Sequence, residues 1–190
     1  MINGYWHLAH ANNVPGTCGQ LAYAVTQDLS LKETLLYGPH QCDTSLEFWR
    51  LLSDSVAEWR RDPLTIAFEF QVASEKLRVP GEPRALRMAA QLPLHWAVHG
   101  PSSVTVRPEV AWDRNGRWTG FPQTIKAVTN TVEYRIRYRR TNTILRLEHR
   151  YDDSRGKTGG FFRDGLQPGF DDLTPTQHLL AFAVIWTIGS

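Results

Sequence analysis

A chain of 190 residues is long enough for one domain with a substantial core. Its 21 Lys+Arg against 19 Asp+Glu leave a net charge of +2, without the basic excess of a nucleic-acid module, and its 21 aromatic residues (seven Trp, six Tyr, eight Phe) exclude a disordered chain. No apolar run reaches the roughly 18 residues of a transmembrane helix, which says nothing about barrel strands, because these alternate and average out as polar.

Taken in chain order, the dominant signal is period two. Residues 1–6 read as the end of a strand. Further strands are expected near 19–26, 29–37, 47–60, 64–75, 85–96, 103–113, 125–138, 143–152 and 176–188. Leu64-Thr65-Ile66-Ala67-Phe68-Glu69-Phe70-Gln71-Val72 alternates without error, and Leu180, Phe182, Val184, Trp186 and Ile188 share one face at the C-terminus. Segment 47–60 fits least well, because Leu51 and Leu52 are adjacent; the shared parity of Trp49 and Trp59 favours a strand. Glu33 breaks the rule in another way, sharing parity with Leu29, Leu31, Leu35 and Tyr37. Pro93 and Pro108 each remove a ladder donor inside a strand, so bulges are expected there. No helix is expected.

The connections alternate in length. Those at Gln27-Asp28, 61–63 and 139–142 are tight, and 97–102 is moderately short. Those at 7–18, 38–46, 76–84, 114–124 and 153–175 are long and hold most of the Pro and Gly. Short turns on one rim and long loops on the other are the pattern of an outer-membrane barrel. The expected fold class is therefore all-β: an antiparallel, up-and-down transmembrane β-barrel of about ten strands, forming one domain over 1–190 or part of a larger barrel.

A soluble barrel buries its apolar face, and a membrane barrel turns that face to lipid. Alternation alone does not separate the two, so a soluble lipocalin-like barrel with an apolar ligand cavity stays open. In the membrane case the lumen would be lined by Arg50, Asp54, Glu69, Arg87, Arg107, Glu109, Glu133, Arg135, Arg137, Arg146, Glu148 and Arg150. Trp49, Trp59, Trp96, Trp112, Tyr138, Tyr151 and Trp186 sit near strand ends on the apolar face, as aromatic girdles do. Trp49 and Trp59 would lie about 25 Å apart along the barrel axis, the height of a lipid-facing band.

The stretch Thr131–Asp153, "TVEYRIRYRRTNTILRLEHRYDD", holds six arginines and suggests a cationic stripe. Read as a hairpin with its turn at 139–142, it places Arg135 opposite Arg146 and Glu133 opposite Glu148, with opposite charges on the diagonals. That is a patch which neutralises itself on an inner wall, not a nucleic-acid surface. The inward set counts seven arginines (50, 87, 107, 135, 137, 146, 150) against eight acids (54, 58, 69, 75, 109, 113, 133, 148), so no strong ion selectivity is expected.

Catalytic chemistry is not evident. "RGKTGG" at 155–160 lacks the upstream glycine of a phosphate loop. His7, His10 and His40 show no metal-site pattern, and Asp152-Asp153 and Asp171-Asp172 show no calcium-loop spacing. His149 with Asp152 and Asp153 could mimic the rim of an outer-membrane protease, but no spacing supports it. No enzymatic activity, cofactor or metal is expected. Cys18 and Cys42 fall in long-loop regions on one rim and could form a disulfide in an oxidising compartment, two free thiols being the equal alternative. The start, Met1-Ile2-Asn3-Gly4-Tyr5-Trp6, has no signal-peptide pattern, so a cytoplasmic protein or a mature or truncated form is expected.

Several short stretches occur in a familiar order. They are Asn3-Gly4-Tyr5-Trp6, Asn12-Asn13, "GQLAY" at 19–23, "LSL" at 29–31, "YGP" at 37–39, "RLEHRYDDS" at 146–154, Phe161-Phe162 and the closing "FAVIWTIGS". In these the chain resembles the OmpL-like β-barrel porins of bacterial outer membranes. In such porins several strands precede the Asn-Gly-aromatic stretch, so the resemblance is to the C-terminal part. It implies an outer-membrane location with lipid as partner, a passive pore for small solutes or ions, and no catalytic residue. An outer-membrane structural or interaction subunit without an open pore is the alternative.

Overall fold

The computed structural model describes residues 14–39, 48–77, 81, 83–156, 159–162 and 173–188. The strands are β1 (Thr17–Ala24), β2 (Leu29–Pro39), β3 (Trp49–Arg61), β4 (Leu64–Glu75), β5 (Ala85–Gln91), β6 (Leu94–His99), β7 (Ser102–Asp113), β8 (Gln123–Tyr138), β9 (Thr141–Arg155), β10 (Phe161–Phe162), β11 (Leu173–Thr174) and β12 (Thr176–Ile188). Ten of them form one antiparallel sheet, and β10 and β11 pair separately inside the last long loop. There is no α-helix among the described residues. The expected strand at residues 1–6 lies outside them.

Neighbours in sequence are neighbours in the sheet, as in an up-and-down meander. The doubtful segment 47–60 is a full strand, since β3 pairs with β2 along one edge and β4 along the other. The expected strand 85–96 is instead two strands, interrupted at Leu92-Pro93. Pro93 has no N–H to give to the ladder, and this interrupts the strand without shifting its register. The carbonyl of Pro93 still accepts from the Ala67 N–H at 3.0 Å, and the Leu92 N–H donates to the Pro108 carbonyl at 3.0 Å. Ile66 faces Leu94 just as Glu69 faces Gln91, so the register runs through the break unchanged. The bulges expected at Pro93 and Pro108 are therefore absent. The one register shift in this part of the sheet lies lower, between Ala97 and His99, next to the turn at Gly100-Pro101.

The sheet is strongly curled. One cavity is lined by Glu69 and Gln71 of β4 together with Gln177 of β12. These strands are five ladder steps apart, so a flat sheet would hold them about 24 Å from each other. Among the described residues no pairing joins β1 to β12.

Burial is inverted relative to a water-soluble domain. Among the described residues the buried hydrophobic ones are all alanines: Ala73, Ala85 and Ala127. The largest fully buried side chains are Glu75, Thr129, Asp113 and Asp152. By contrast Leu180, Phe182 and Trp186 are 69%, 68% and 63% exposed. The concave side of the sheet is polar and packed, and the convex side is apolar and open.

Candidate functional site

The pairing register fixes which residues share a face. Arg50 faces Glu75, and Asp54 faces Gln71. Glu69 faces Gln91, Arg87 faces Asp113 and Gln91 faces Glu109. Arg107 faces Thr129, Thr129 faces Arg150, Thr131 faces Glu148 and Glu133 faces Arg146. All twelve residues expected to line a lumen thus lie on the concave face. Trp49, Trp59, Trp96, Trp112, Tyr138, Tyr151 and Trp186 have the opposite parity and lie on the convex face. Trp49, Trp112 and Tyr151 are at the long-loop ends of their strands, and Trp59, Trp96, Tyr138 and Trp186 at the short-turn ends.

At the long-loop rim the centre is Glu75, which is fully buried. Arg50 donates to it from β3 through Nε at 2.8 Å and through a closer Nη2 contact. Arg117, from the loop 114–122, donates to it through Nη2 at 3.0 Å. Asp113 turns that loop inward. Its carboxylate accepts from the backbone N–H of Arg117, Trp118 and Thr119 at 3.2, 2.8 and 2.8 Å, and from the Thr119 hydroxyl at 3.1 Å. An acidic side chain that collects successive amides ahead of it is a local loop organiser. Gly116 makes the turn possible: its φ is +69°, and an added Cβ would come within 2.7 Å of the Phe121 backbone. The Trp118 ring lies under the Arg50 guanidinium at 5.4 Å. The last long loop is tied down by Gln123, whose Oε1 accepts from Ser154 Oγ at 2.5 Å and from the Gly160 N–H at 3.1 Å.

At mid-height a second network surrounds Glu109. It accepts from Arg107 Nε and Arg150 Nη1, both at 2.7 Å, and from the Thr129 hydroxyl at 3.3 Å. Arg150 Nε reaches Asp152 at 2.9 Å, which also accepts from Gln177 at 3.0 Å. The facing wall carries Glu69, held by the side-chain amides of Gln91 at 2.5 Å and Gln71 at 2.7 Å. Glu69, Gln71, Gln91, Glu109, Arg150 and Asp152 line a cavity of about 350 Å³ that also meets Thr119 of the inward loop and Phe161 of β10.

At the short-turn rim Arg146 binds Glu133 through Nε at 2.7 Å and Nη2 at 2.5 Å. This corrects the expected hairpin register by two residues. The turn is the two-residue Arg139-Arg140, not the four residues 139–142, so Glu133 faces Arg146 directly and Arg135 faces Ile144.

Sequence reasoning missed the contribution of Asp113, Arg117 and Thr119 as a unit. The signal available was Asp113 followed closely by Asn115-Gly116, a turn-forming pair. It also missed polar groups on the convex face. Glu33 lies there, accepting from Ser53 at 2.7 Å and from Ser55. His149 and His178 stack there at 5.4 Å. His149 and Asp152 are therefore on opposite faces of β9, and no His149–Asp152 constellation exists. Cys18 begins β1 instead of lying in a loop, and is exposed. Cys42, His7, His10, His40, Asp171 and Asp172 lie outside the described residues. Among the described residues no cluster of His, Cys, Asp and Glu could hold a metal ion.

A curled antiparallel meander with a charged inner face, an apolar outer face and aromatic residues at both ends of that face is built as a membrane β-barrel wall is built. Residues 1–188 match the family model described as "Putative beta-barrel porin-2, OmpL-like", and the chain belongs to that family of outer-membrane β-barrel porins. No curated protein and no solved structure matches it.

Proposed function

We propose that the protein is a passive outer-membrane channel for small polar solutes or ions, with the concave face as its wet lumen and the short turns on the periplasmic side. The inverted burial carries this reading. Buried carboxylates and guanidiniums are tolerated only when they compensate one another, and here Glu75, Glu109 and Asp152 each have an arginine partner. Exposed Leu180, Phe182 and Trp186 are costly in water and at ease against lipid. A soluble ligand-binding barrel needs the opposite arrangement, so the exposure pattern weighs against it. The test is incorporation of the refolded protein into planar bilayers. Discrete ohmic current steps are the expected result, and a folded, inserted protein that passes no current would overturn the channel.

One observation favours a second reading, an outer-membrane subunit that docks partners without an open pore. The 114–122 loop and Phe161 both reach the concave face and share its mid-height cavity. Under that reading, removing the inward loop would leave the zero current unchanged; under the channel reading it would raise conductance.

A further inference from the structure

The balance of seven inward arginines against eight acids hides a separation along the strands. At the short-turn rim, β8 outruns its neighbour: its last partner on β7 is Ser102, opposite Tyr134. The Arg135 N–H still donates to the Pro101 carbonyl at 2.9 Å, and residues 136–138 of β8 project past the Gly100-Pro101 turn with β9 as their ladder partner. Arg135 at the base of this projection and Arg137 on it are both on the concave side. Their partners on β9 are Ile144 and Asn142, which carry no charge. Neither guanidinium makes an ion pair among the described residues. The nearest acid on the same face, Glu133, is already engaged by Arg146 at 2.5 Å. The step between the long β8–β9 hairpin and the shorter β6–β7 hairpin leaves a pocket of about 460 Å³, lined by Arg135, Arg137, His95 and Ser103 together with the ion-paired Glu133. His95 is itself hydrogen-bonded to Thr105 at 2.9 Å.

We propose that this pocket is an oxyanion subsite at the short-turn mouth, which takes the phosphate or carboxylate group of a small solute. Two guanidiniums two residues apart on one strand stand about 7 Å from each other, a span that a tetrahedral or planar oxyanion can bridge with charge-assisted hydrogen bonds. Arginine suits this better than lysine, because its planar fork offers paired N–H donors. The Ser103 hydroxyl and the His95 ring add polar lining. No acid is left uncompensated within the pocket to repel the ligand. The inference rests on the proposal that the concave face is a wet lumen, and it revises the expectation of an unselective one: the charges nearly balance in number but are separated in position.

The experiment is calorimetric titration of inorganic phosphate into the folded protein in neutral detergent, at fixed ionic strength with chloride as the competing background. Saturable binding of one phosphate per chain is expected, with R135Q/R137Q weakening it at least about tenfold and R135K/R137K intermediate. Arg60→Gln, on the same rim but outside the pocket, should leave binding unchanged. Absence of saturable binding, or equal binding by R135Q/R137Q and the parent, would overturn the subsite. Phosphatidylglycerol added to the micelles should not compete. Competition would assign the arginines to lipid headgroups and overturn the solute reading. Bilayer current is measured on the same preparations: phosphate binding without current removes the channel and keeps the subsite, and current without binding does the reverse.

Discussion

The two ends of the concave face are built from the same alternating strands and treat their charges in opposite ways. At the long-loop end, Glu75 is buried under two arginines and Asp113 is surrounded by amides. At the short-turn end, Arg135 and Arg137 face Ile144 and Asn142. The difference lies in the connections. The loop 114–122 has enough chain to fold back and return Arg117 and three N–H groups to the wall. A two-residue turn such as Arg139-Arg140 has nothing to return. Charge compensation within a curled sheet therefore depends on loop length as well as strand composition, and at the short-turn end Arg135 and Arg137 stand without an acid partner among the described residues beside the paired Arg146 and Glu133.

The largest effect should come from the compensated end. Glu75→Gln leaves Arg50 and Arg117 buried or half-buried without their shared carboxylate. A loss of about 3 to 5 kcal/mol is expected, the range for breaking a buried ion pair from one side. The urea midpoint of the detergent-folded protein, followed by gel mobility of unboiled samples, measures it; a shift no larger than that of a surface variant would mean that the pairing contributes little. Next comes Asp113→Asn, which keeps the shape of the organiser and weakens its hold on three amides. About 1 to 3 kcal/mol of loop stability should go with it. The readout is tryptic cleavage after Arg114 or Arg117 in the folded protein, slow in the parent and fast in the variant.

The sequence carried the faces of the sheet well, because side-chain parity needs only strand continuity, and every predicted inward charge and girdle aromatic has the expected parity. It carried the pairings poorly. Glu133 opposite Arg146 depends on a turn of two residues where four looked natural, and a slip of two preserves the faces while changing every partner. Pro93 predicts a bulge, yet the ladder closes around it because the Pro93 carbonyl still accepts from Ala67. The Asp113 loop was invisible to periodicity, since its contacts are to backbone amides. The polar groups on the convex face, Glu33 with Ser53 and Ser55, showed only as one lapse of parity in β2.

The compensated and uncompensated arginines of one hairpin provide a finer test. Arg146→Gln removes the partner of half-buried Glu133 and should lower stability by about 1 kcal/mol or less, since the pair is partly open to solvent. Arg135→Gln removes a charge with no acid partner and should leave the urea midpoint unchanged or slightly raised. Equal losses in both variants would mean that Arg135 is engaged after all, and the contrast between the two ends would fail.

The smallest effect is expected at the turn that sets this register. Arg139 has φ of +52°, a conformation that costs a residue with a Cβ about 1 kcal/mol relative to glycine. Its guanidinium lies over the Tyr138 ring at 5.3 Å, an exposed contact that returns about 0.5 kcal/mol. Arg139→Gly relieves the first, forfeits the second and frees the unfolded chain, so the three contributions should cancel to within about 0.5 kcal/mol. Arg140 has no positive φ to relieve, so Arg140→Gly should lose about 0.5 to 1 kcal/mol outright. The urea midpoints of the two variants, compared side by side, decide which residue holds the left-handed position. Reversal of their order would place it at Arg140 and undo the direct Glu133–Arg146 register on which the contrast between the two ends depends.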